Sequence, residues 1–313
     1  MVAARLLATV VIAFVLVRRV HLGQVLPDRN AHNLALVVAA LVFTLAGVVL
    51  SAFRWQRVLA ALDVHGSLLQ LTKHYLASLF VGNFLPSTVG GDVLRVTRLG
   101  AETGDTAAPF ASVLLERMSG WIVLPGLAFT GLLINPTLRR LGHATAVDAG
   151  VGVVTLLLLG GVLIAVGNAR VGQRFSGAAG WKRFTGAIHL GVDHFRHHPA
   201  RAFEVVAAGV VYQLSVLVAV FTLSKALEIH VGFTAILAFF PAVSILQTLP
   251  LTVGGLGVRE GALYLFLHPL GVHKEQAIGL GLIYYFSVLI VSLIGAPAFA
   301  AGGTKRKVPV DAA

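Results

Sequence analysis

Residues 85–95 read LPSTVGGDVLR, and residues 249–259 read LPLTVGGLGVR. Seven of the eleven positions are identical, and the offset is constant, with Leu85 answering Leu249 and Arg95 answering Arg259. Each copy interrupts an apolar stretch. Residues 74–91 are uncharged but broken by Pro86 and Gly90-Gly91, and residues 231–258 are uncharged but broken by Pro241, Pro250, Gly254-Gly255 and Gly257. Proline removes a backbone donor and clashes with the preceding turn, while paired glycines free the chain to reverse. At membrane depth such a break is tolerated only where protein or a polar cavity satisfies the freed backbone groups. Each stretch therefore reads as a helix that enters, breaks at Leu-Pro, turns through Thr-Val-Gly-Gly and leaves as a second short helix. A kinked full-span helix is the alternative, above all for the second copy.

Composition places these breaks in a bilayer. The chain has 313 residues, of which 57% are hydrophobic and only 12% charged, about half the charged share of a soluble domain. Uncharged runs long enough to span hydrocarbon occur at 34–53, 118–138, 149–166, 205–224 and 276–304. A shorter run at 6–17 spans only if Arg5 snorkels; Arg18 and Arg19 follow it without a small-x-small site, against a cleaved signal peptide. The expectation is an all-α polytopic membrane protein. It has about six transmembrane helices plus two re-entrant helical hairpins, arranged as inverted repeats at about 34–138 and 200–304, within one membrane domain over 1–304. Three crossings separate the hairpins, and an odd number reverses orientation. In transporters this architecture puts substrate sites near the midplane, among broken helices.

The formal net charge is +11. Because the bases lie between apolar runs, they read as topology signals and contacts with anionic lipid, not as a nucleic-acid surface. Placing both termini in the cytoplasm puts most Lys and Arg on that side, though Arg18-Arg19 argues against that orientation. The first hairpin then opens to the cytoplasm and the second outward. Residues 305–313 read as a basic disordered tail. Cysteine is absent, which removes disulfides, thiolate metal sites and Cys nucleophiles.

The repeated segment points to an anion site. A broken helix exposes N–H groups at the start of its second half, and these combine with the helix dipole. Gly90, Gly91, Gly254 and Gly255 allow close approach to the backbone. Arg95 and Arg259 each follow one turn later, and an Arg can grip a phosphate with two parallel hydrogen bonds. Thr88 and Thr252 add hydroxyls, beside Pro86 and Pro250. The competing reading makes each Arg an anchor at headgroup level. Glu116 and Arg117 sit within an apolar span, where charge is costly. They read as a gate or coupling site, with Glu116 the candidate for proton coupling, or as an ion pair that balances Arg95. Asp92 and Glu260 read more readily as ion-pair partners. Arg54-Trp55 reads as an interfacial anchor ending its span.

Between the fourth and fifth spans, Trp181, Phe184, Ile188, Val192 and Phe195 recur at helical spacing opposite a basic face. The pattern predicts an amphipathic helix on the cytoplasmic leaflet. His194, His197 and His198 are too loosely arranged to predict a metal.

The segments GNFLPSTVGGDVLRVTRLG, LLERMSGW and LPLTVGGLGVREGAL resemble the lysylphosphatidylglycerol synthase transmembrane region, also called the flippase-like domain family. The resemblance covers almost the whole chain, and its paired Pro-Gly-Gly-Arg elements are its specific part. In the multiple-peptide-resistance-factor proteins this region is associated with flipping aminoacylated phosphatidylglycerol; related regions accompany glycosyltransferases and hopanoid-linked proteins. What the resemblance implies falls on Pro86, Gly90, Gly91, Asp92, Arg95, Glu116 and Arg117, and on Pro250, Gly254, Gly255, Gly257, Arg259 and Glu260. The synthases add a soluble aminoacyl-transfer domain. The chain ends soon after its last span, so the expectation is the membrane part alone, without catalytic residues, cofactor or metal. The expected role is translocation of an anionic, modified or polyprenyl-linked lipid across the inner membrane. The alternatives are an integral-membrane transferase and a scaffold in a lipid-linked glycosyl or aminoacyl transfer pathway. Expected partners are lipids with anionic headgroups, a separately encoded lipid-modifying enzyme or a second copy of the chain, and not nucleic acid.

Overall fold

A computed structural model describes residues 30–84, 90–167, 181–249 and 251–301. The expected first span, Pro86, Thr88, Pro250 and the basic tail lie outside the described residues. The described chain is all-helical. Its order is α1 (Ala31–Ala60), α2 (Leu68–Phe84), α3 (Gly90–Thr103), α4 (Ala107–Ile134), α5 (His143–Gly167), α6 (Trp181–His197), α7 (Pro199–Ala226), α8 (Phe233–Leu246), α9 (Val258–Leu267), α10 (Lys274–Leu293) and α11 (Gly295–Ala301). Five helices among the described residues are long and apolar enough to cross a membrane: α1, α4, α5, α7 and α10 with its continuation. The protein is a multi-pass membrane protein.

Both breaks in the repeated segments produce helical hairpins. In the first, α2 and α3 run back along each other: Gly91 packs against Ser78 near the tip, and Gln70 Nε2 donates to Glu102 Oε2 at 2.6 Å near the base. In the second, Gly255 packs against Gln247 at the tip, and Phe239 of α8 stacks on Phe266 of α9 at 5.4 Å. The second break comes later than Pro241 suggests. Pro241 lies inside α8, which continues to Leu246 before the chain turns. A proline that far into a helix gives up one hydrogen bond; here α8 is held by burial, with Phe239, Phe240, Ala242 and Val243 each no more than 1% exposed.

The spans also differ from the uncharged runs. Helix α1 starts at an Asn30 cap, whose side chain accepts the Asn33 N–H at 2.7 Å. It extends past residue 53 to Ala60, so Arg54 and Trp55 are interior positions and not an interfacial end. Helix α4 begins at Ala107, which puts Glu116 and Arg117 well inside it. The last run breaks between α10 and α11, where Gly295 lies so close to α2 that an added Cβ would stand 2.1 Å from the Leu76 carbonyl oxygen. Arg98 of α3 locks this contact by donating to the carbonyls of Ala298 (2.9 Å) and Phe299 (2.7 Å).

Three packings position the interior. The two helices that precede the hairpins, α1 and α7, lie along each other, with Ser215 Oγ donating to Phe43 O at 2.8 Å. Helix α8 crosses α4 at Gly131, whose missing side chain leaves room for the Ala238 backbone. Helix α6 presses Ile188 and Val192 onto α1, α4, α5 and α7. Its apolar face is therefore packed on protein at those two positions, and not laid wholly on lipid.

Candidate functional site

Where α1, α2, α3, α4 and α7 meet the tip of the second hairpin, they enclose a cavity of about 370 Å³. Its centre is Glu116, which is 1% exposed. Glu116 Oε1 accepts from Arg54 Nη2 at 2.8 Å, and Oε2 accepts from Arg95 Nη1 at 2.8 Å. The Ser51 hydroxyl lies 3.3 Å and the Tyr75 hydroxyl 3.4 Å from Oε1. Arg95 Nη2 then donates to Asp92 at 2.6 Å, one turn earlier on α3. Arg117 of α4 donates to the other Asp92 oxygen, with Nε at 2.5 Å. The order Arg54, Glu116, Arg95, Asp92, Arg117 is thus one unbroken chain of charge-assisted hydrogen bonds across three helices.

Aromatic faces complete the seats of the cations. The Arg95 guanidinium lies 4.4 Å from the Tyr75 ring centre and 5.0 Å from that of Trp55. Arg54 lies 5.0 Å from the Tyr212 ring. Trp55 is itself fixed, its indole N–H donating to Ser112 Oγ at 2.9 Å. Cations over desolvated rings gain electrostatic attraction from the ring quadrupole. A charged cluster of this depth is expensive unless each member is paired, and the pairing is nearly complete.

Three polar atoms on lining residues are left over. Arg54 Nε, Arg95 Nε and Asn83 Nδ2 are buried without a hydrogen-bond partner, and all three are donors. The lining carries three guanidinium groups against two carboxylates, with Ser78, Tyr75, Tyr212, Gln247 and Thr248 as further polar groups. Surplus positive charge and surplus donors are complementary to an acceptor-rich anion.

The described residues expected at a site separate into two groups. Gly91, Asp92, Arg95, Glu116, Arg117 and Gly254 line this one cavity; Gly90, Thr252, Gly255, Arg259 and Glu260 do not. Arg259, 3% exposed, is paired with its own neighbour, Nη2 donating to Glu260 Oε1 at 2.8 Å, and stands 5.1 Å from the Tyr285 ring. Glu260 Oε2 accepts the Gly257 N–H at 2.5 Å. The two tips therefore converge on a single cavity, to which the second hairpin brings Gln247, Thr248 and Gly254 and not its arginine. Arg95 and Arg259 therefore do not line this cavity together. Each Glu116 oxygen accepts from a guanidinium, the geometry of an ion pair that balances Arg95 and Arg54.

Arg54, Tyr75 and Tyr212 were not legible as site residues. Arg54 adjoins Trp55 at the edge of an uncharged run, the usual mark of an interfacial anchor. The apolar spacing that continues through Val58 and Leu59 was the signal that its helix runs on.

The chain matches the model of the lysylphosphatidylglycerol synthase transmembrane region over residues 2–295. It belongs to that family. No curated protein and no solved structure matches it. Membership makes this a membrane protein of lipid-related function, and in the cavity buried arginines and carboxylates of three helices converge.

A second polar cavity, about 520 Å³, lies at the C-terminal end of α6, lined by Asp63, Asp105, Asp193, His194, His197 and His198. Among the described residues no three His, Cys, Asp or Glu side chains are grouped to hold a metal ion. His194 Nε2 accepts from Arg201 at 3.0 Å and its ring stacks on His198 at 4.3 Å. Desolvation first, then His198 and Arg201, lower its pKa below the ordinary histidine value. The nitrogen that would ligate is occupied by a guanidinium.

Proposed function

We propose that this protein is a lipid translocator whose central cavity takes the anionic headgroup of a modified or polyprenyl-linked phospholipid as it crosses the inner membrane. One observation carries the reading: the orphaned polar atoms of the cavity wall are all donors, on a wall with one more cation than anion. A phosphate supplies the missing acceptors and charge. Family membership supports a lipid ligand over a free anion, and the meeting of the two hairpin tips supports a site that either hairpin can uncover by moving. The reading is of a transporter and not an enzyme, with both termini in the cytoplasm, and it invokes no cofactor and no chemical step.

Arg117 is the residue on which to test it. Its side chain is 42% exposed, so it can turn toward a ligand, and its loss leaves Asp92 still bound to Arg95. In proteoliposomes, a tail-labelled phosphatidylglycerol and a membrane-impermeant reductant report exchange between leaflets. The wild-type protein should speed exchange over protein-free vesicles. Arg117→Gln should slow it roughly 10- to 100-fold, the worth of one charged hydrogen bond of about 1.5–3 kcal/mol. Equal exchange with and without protein, or an unchanged Arg117→Gln, would sink the proposal. Chemical conversion of the labelled lipid instead would point to the transfer-pathway role.

A further inference from the structure

Helix α4 carries chemistry on a second face. Leu115, Met118, Ser119 and Ile122 recur at helical spacing on a side different from Glu116 and Arg117, and they wall a groove of about 230 Å³ between α4, α5, α6 and α7. Leu163, Phe195 and Val205 contribute its other apolar walls, and Arg196 is the one charged residue among those that line it. The groove is separate from the headgroup cavity; they share no lining residue.

The position of Arg196 is imposed by packing. An added Cβ on Gly191 would stand 2.4 Å from Leu115 Cδ1, so glycine lets α6 press directly onto α4. Ile188 and Val192 are buried in the same contact. With α6 pinned there, the next turn carries Phe195 into the groove and leaves Arg196 exposed at its edge. Exposed apolar side chains stand on the two spans beside it: Leu158 and Ile164 of α5 and Phe203 of α7 are 61–75% exposed. On spans that cross a bilayer this is a lipid-facing surface, so an acyl chain reaches the groove without leaving hydrocarbon.

We propose that the groove holds one acyl chain of an anionic phospholipid whose phosphate is bound by Arg196. The volume lies below the roughly 300–1,000 Å³ of drug-sized pockets, which suits a single chain. Moving a chain from bilayer to groove gains little hydrophobic energy, because lipid is already apolar. Selection between lipids therefore rests on the headgroup, and the guanidinium is what selects. Met118, unbranched and adaptable, accommodates chains of differing shape. An occupied groove also braces the turns of α4 that hold Glu116 and Arg117 in the cavity. This site stands whether or not the central cavity transports lipid.

The full-length protein would be placed in nanodiscs of phosphatidylcholine with a minor share of phosphatidylglycerol, then released and weighed by native mass spectrometry. The expected result is one phospholipid retained by the groove beside the one the central cavity takes, with phosphatidylglycerol enriched several-fold over the nanodisc ratio. Arg196→Gln should keep the groove's lipid but lower the phosphatidylglycerol enrichment toward the bulk ratio. Leu163→Trp, which fills the groove, should lose it. Retained lipid at the bulk ratio in the wild type would overturn the proposal. So would enrichment that survives Arg196→Gln but vanishes in Arg117→Gln, since that places the anionic lipid in the central cavity.

Discussion

The two Gly-Gly-x-x-x-Arg segments are alike in sequence and opposite in use. In the first, Arg95 reaches out of its hairpin to Glu116 on another helix, and a cavity opens beside it. In the second, Arg259 closes on the adjacent Glu260, which caps the start of the same helix through Gly257. The glycines diverge as well. Gly91 is helical and is needed for contact: an added Cβ would lie 2.4 Å from the Ser78 carbonyl oxygen. Gly254, Gly255 and Gly257 are needed for conformation, with φ of 62°, 71° and 83°, values that favour glycine. One repeated pattern can thus serve as a site in one half and as a sealed turn in the other. What differs is the second carboxylate: Arg95 joins Asp92 of its own helix to Glu116 of α4, whereas Arg259 pairs with its neighbour Glu260.

The comparison breaks most visibly at Glu116. Glutamine there must turn its NH2 toward either Arg54 or Arg95, because the two guanidiniums occupy opposite oxygens. One buried cation is left facing a donor, and removing one member of a buried ion pair costs about 3–5 kcal/mol. Glu116→Gln should lower the thermal unfolding temperature, measured in detergent or nanodiscs, more than any glycine or Glu260 substitution, and should abolish lipid exchange. A stability equal to wild type would mean that the network does not hold the three helices together.

The glycines sharpen the comparison at the next level. Gly91→Ala must push α3 off α2, since the obstructing atom is backbone and cannot rotate away. Overpacking of this kind costs about 1–3 kcal/mol, and the displaced helix carries Asp92 and Arg95 with it. Gly254→Ala meets nothing closer than 3.4 Å, a Tyr285 ring carbon. Its cost is the left-handed backbone alone, about 1–2 kcal/mol. Lipid exchange should therefore fall further per unit of lost stability in Gly91→Ala than in Gly254→Ala. Equal ratios would show that the first hairpin's geometry matters no more than the second's.

The architecture was largely legible because its signals are local. Charge-free runs mark spans, and Pro and Gly-Gly mark breaks, so the hairpins and five spans followed from the order of residues. Boundaries were less so: α1 and α4 run through charged residues that a search for uncharged runs must treat as ends, and the rule fails when a charge is neutralised by a partner far along the chain. The site suffered from the same blindness. Asp92, Arg95, Glu116 and Arg117 stood out as charges in apolar surroundings. Their connection to Arg54, which precedes Glu116 by 62 residues, is tertiary and leaves no spacing to read. Nor does sequence identity between the repeats reveal that Arg259 is consumed by Glu260, since Asp92 and Glu260 both sit close to an Arg along the chain.

Glu260→Gln is the change with the smallest expected effect on lipid exchange and the one that separates the two halves most cleanly. Glutamine can keep its carbonyl oxygen on Arg259, whose guanidinium also retains the face of Tyr285. Its NH2 then replaces the oxygen that accepts the Gly257 N–H, so a helix cap is lost, and Arg259 is left a buried cation without its counter-charge, a change of the class that costs about 3–5 kcal/mol. The change lies off the cavity wall and leaves Gln247, Thr248 and Gly254 in place. Unfolding temperature should drop while lipid exchange by the folded protein stays near that of wild type. Exchange lost at unchanged stability would reverse the assignment, for it would mean that Arg259 leaves Glu260 during the cycle and grips the lipid in its turn, making the second copy a site that is closed only in this conformation.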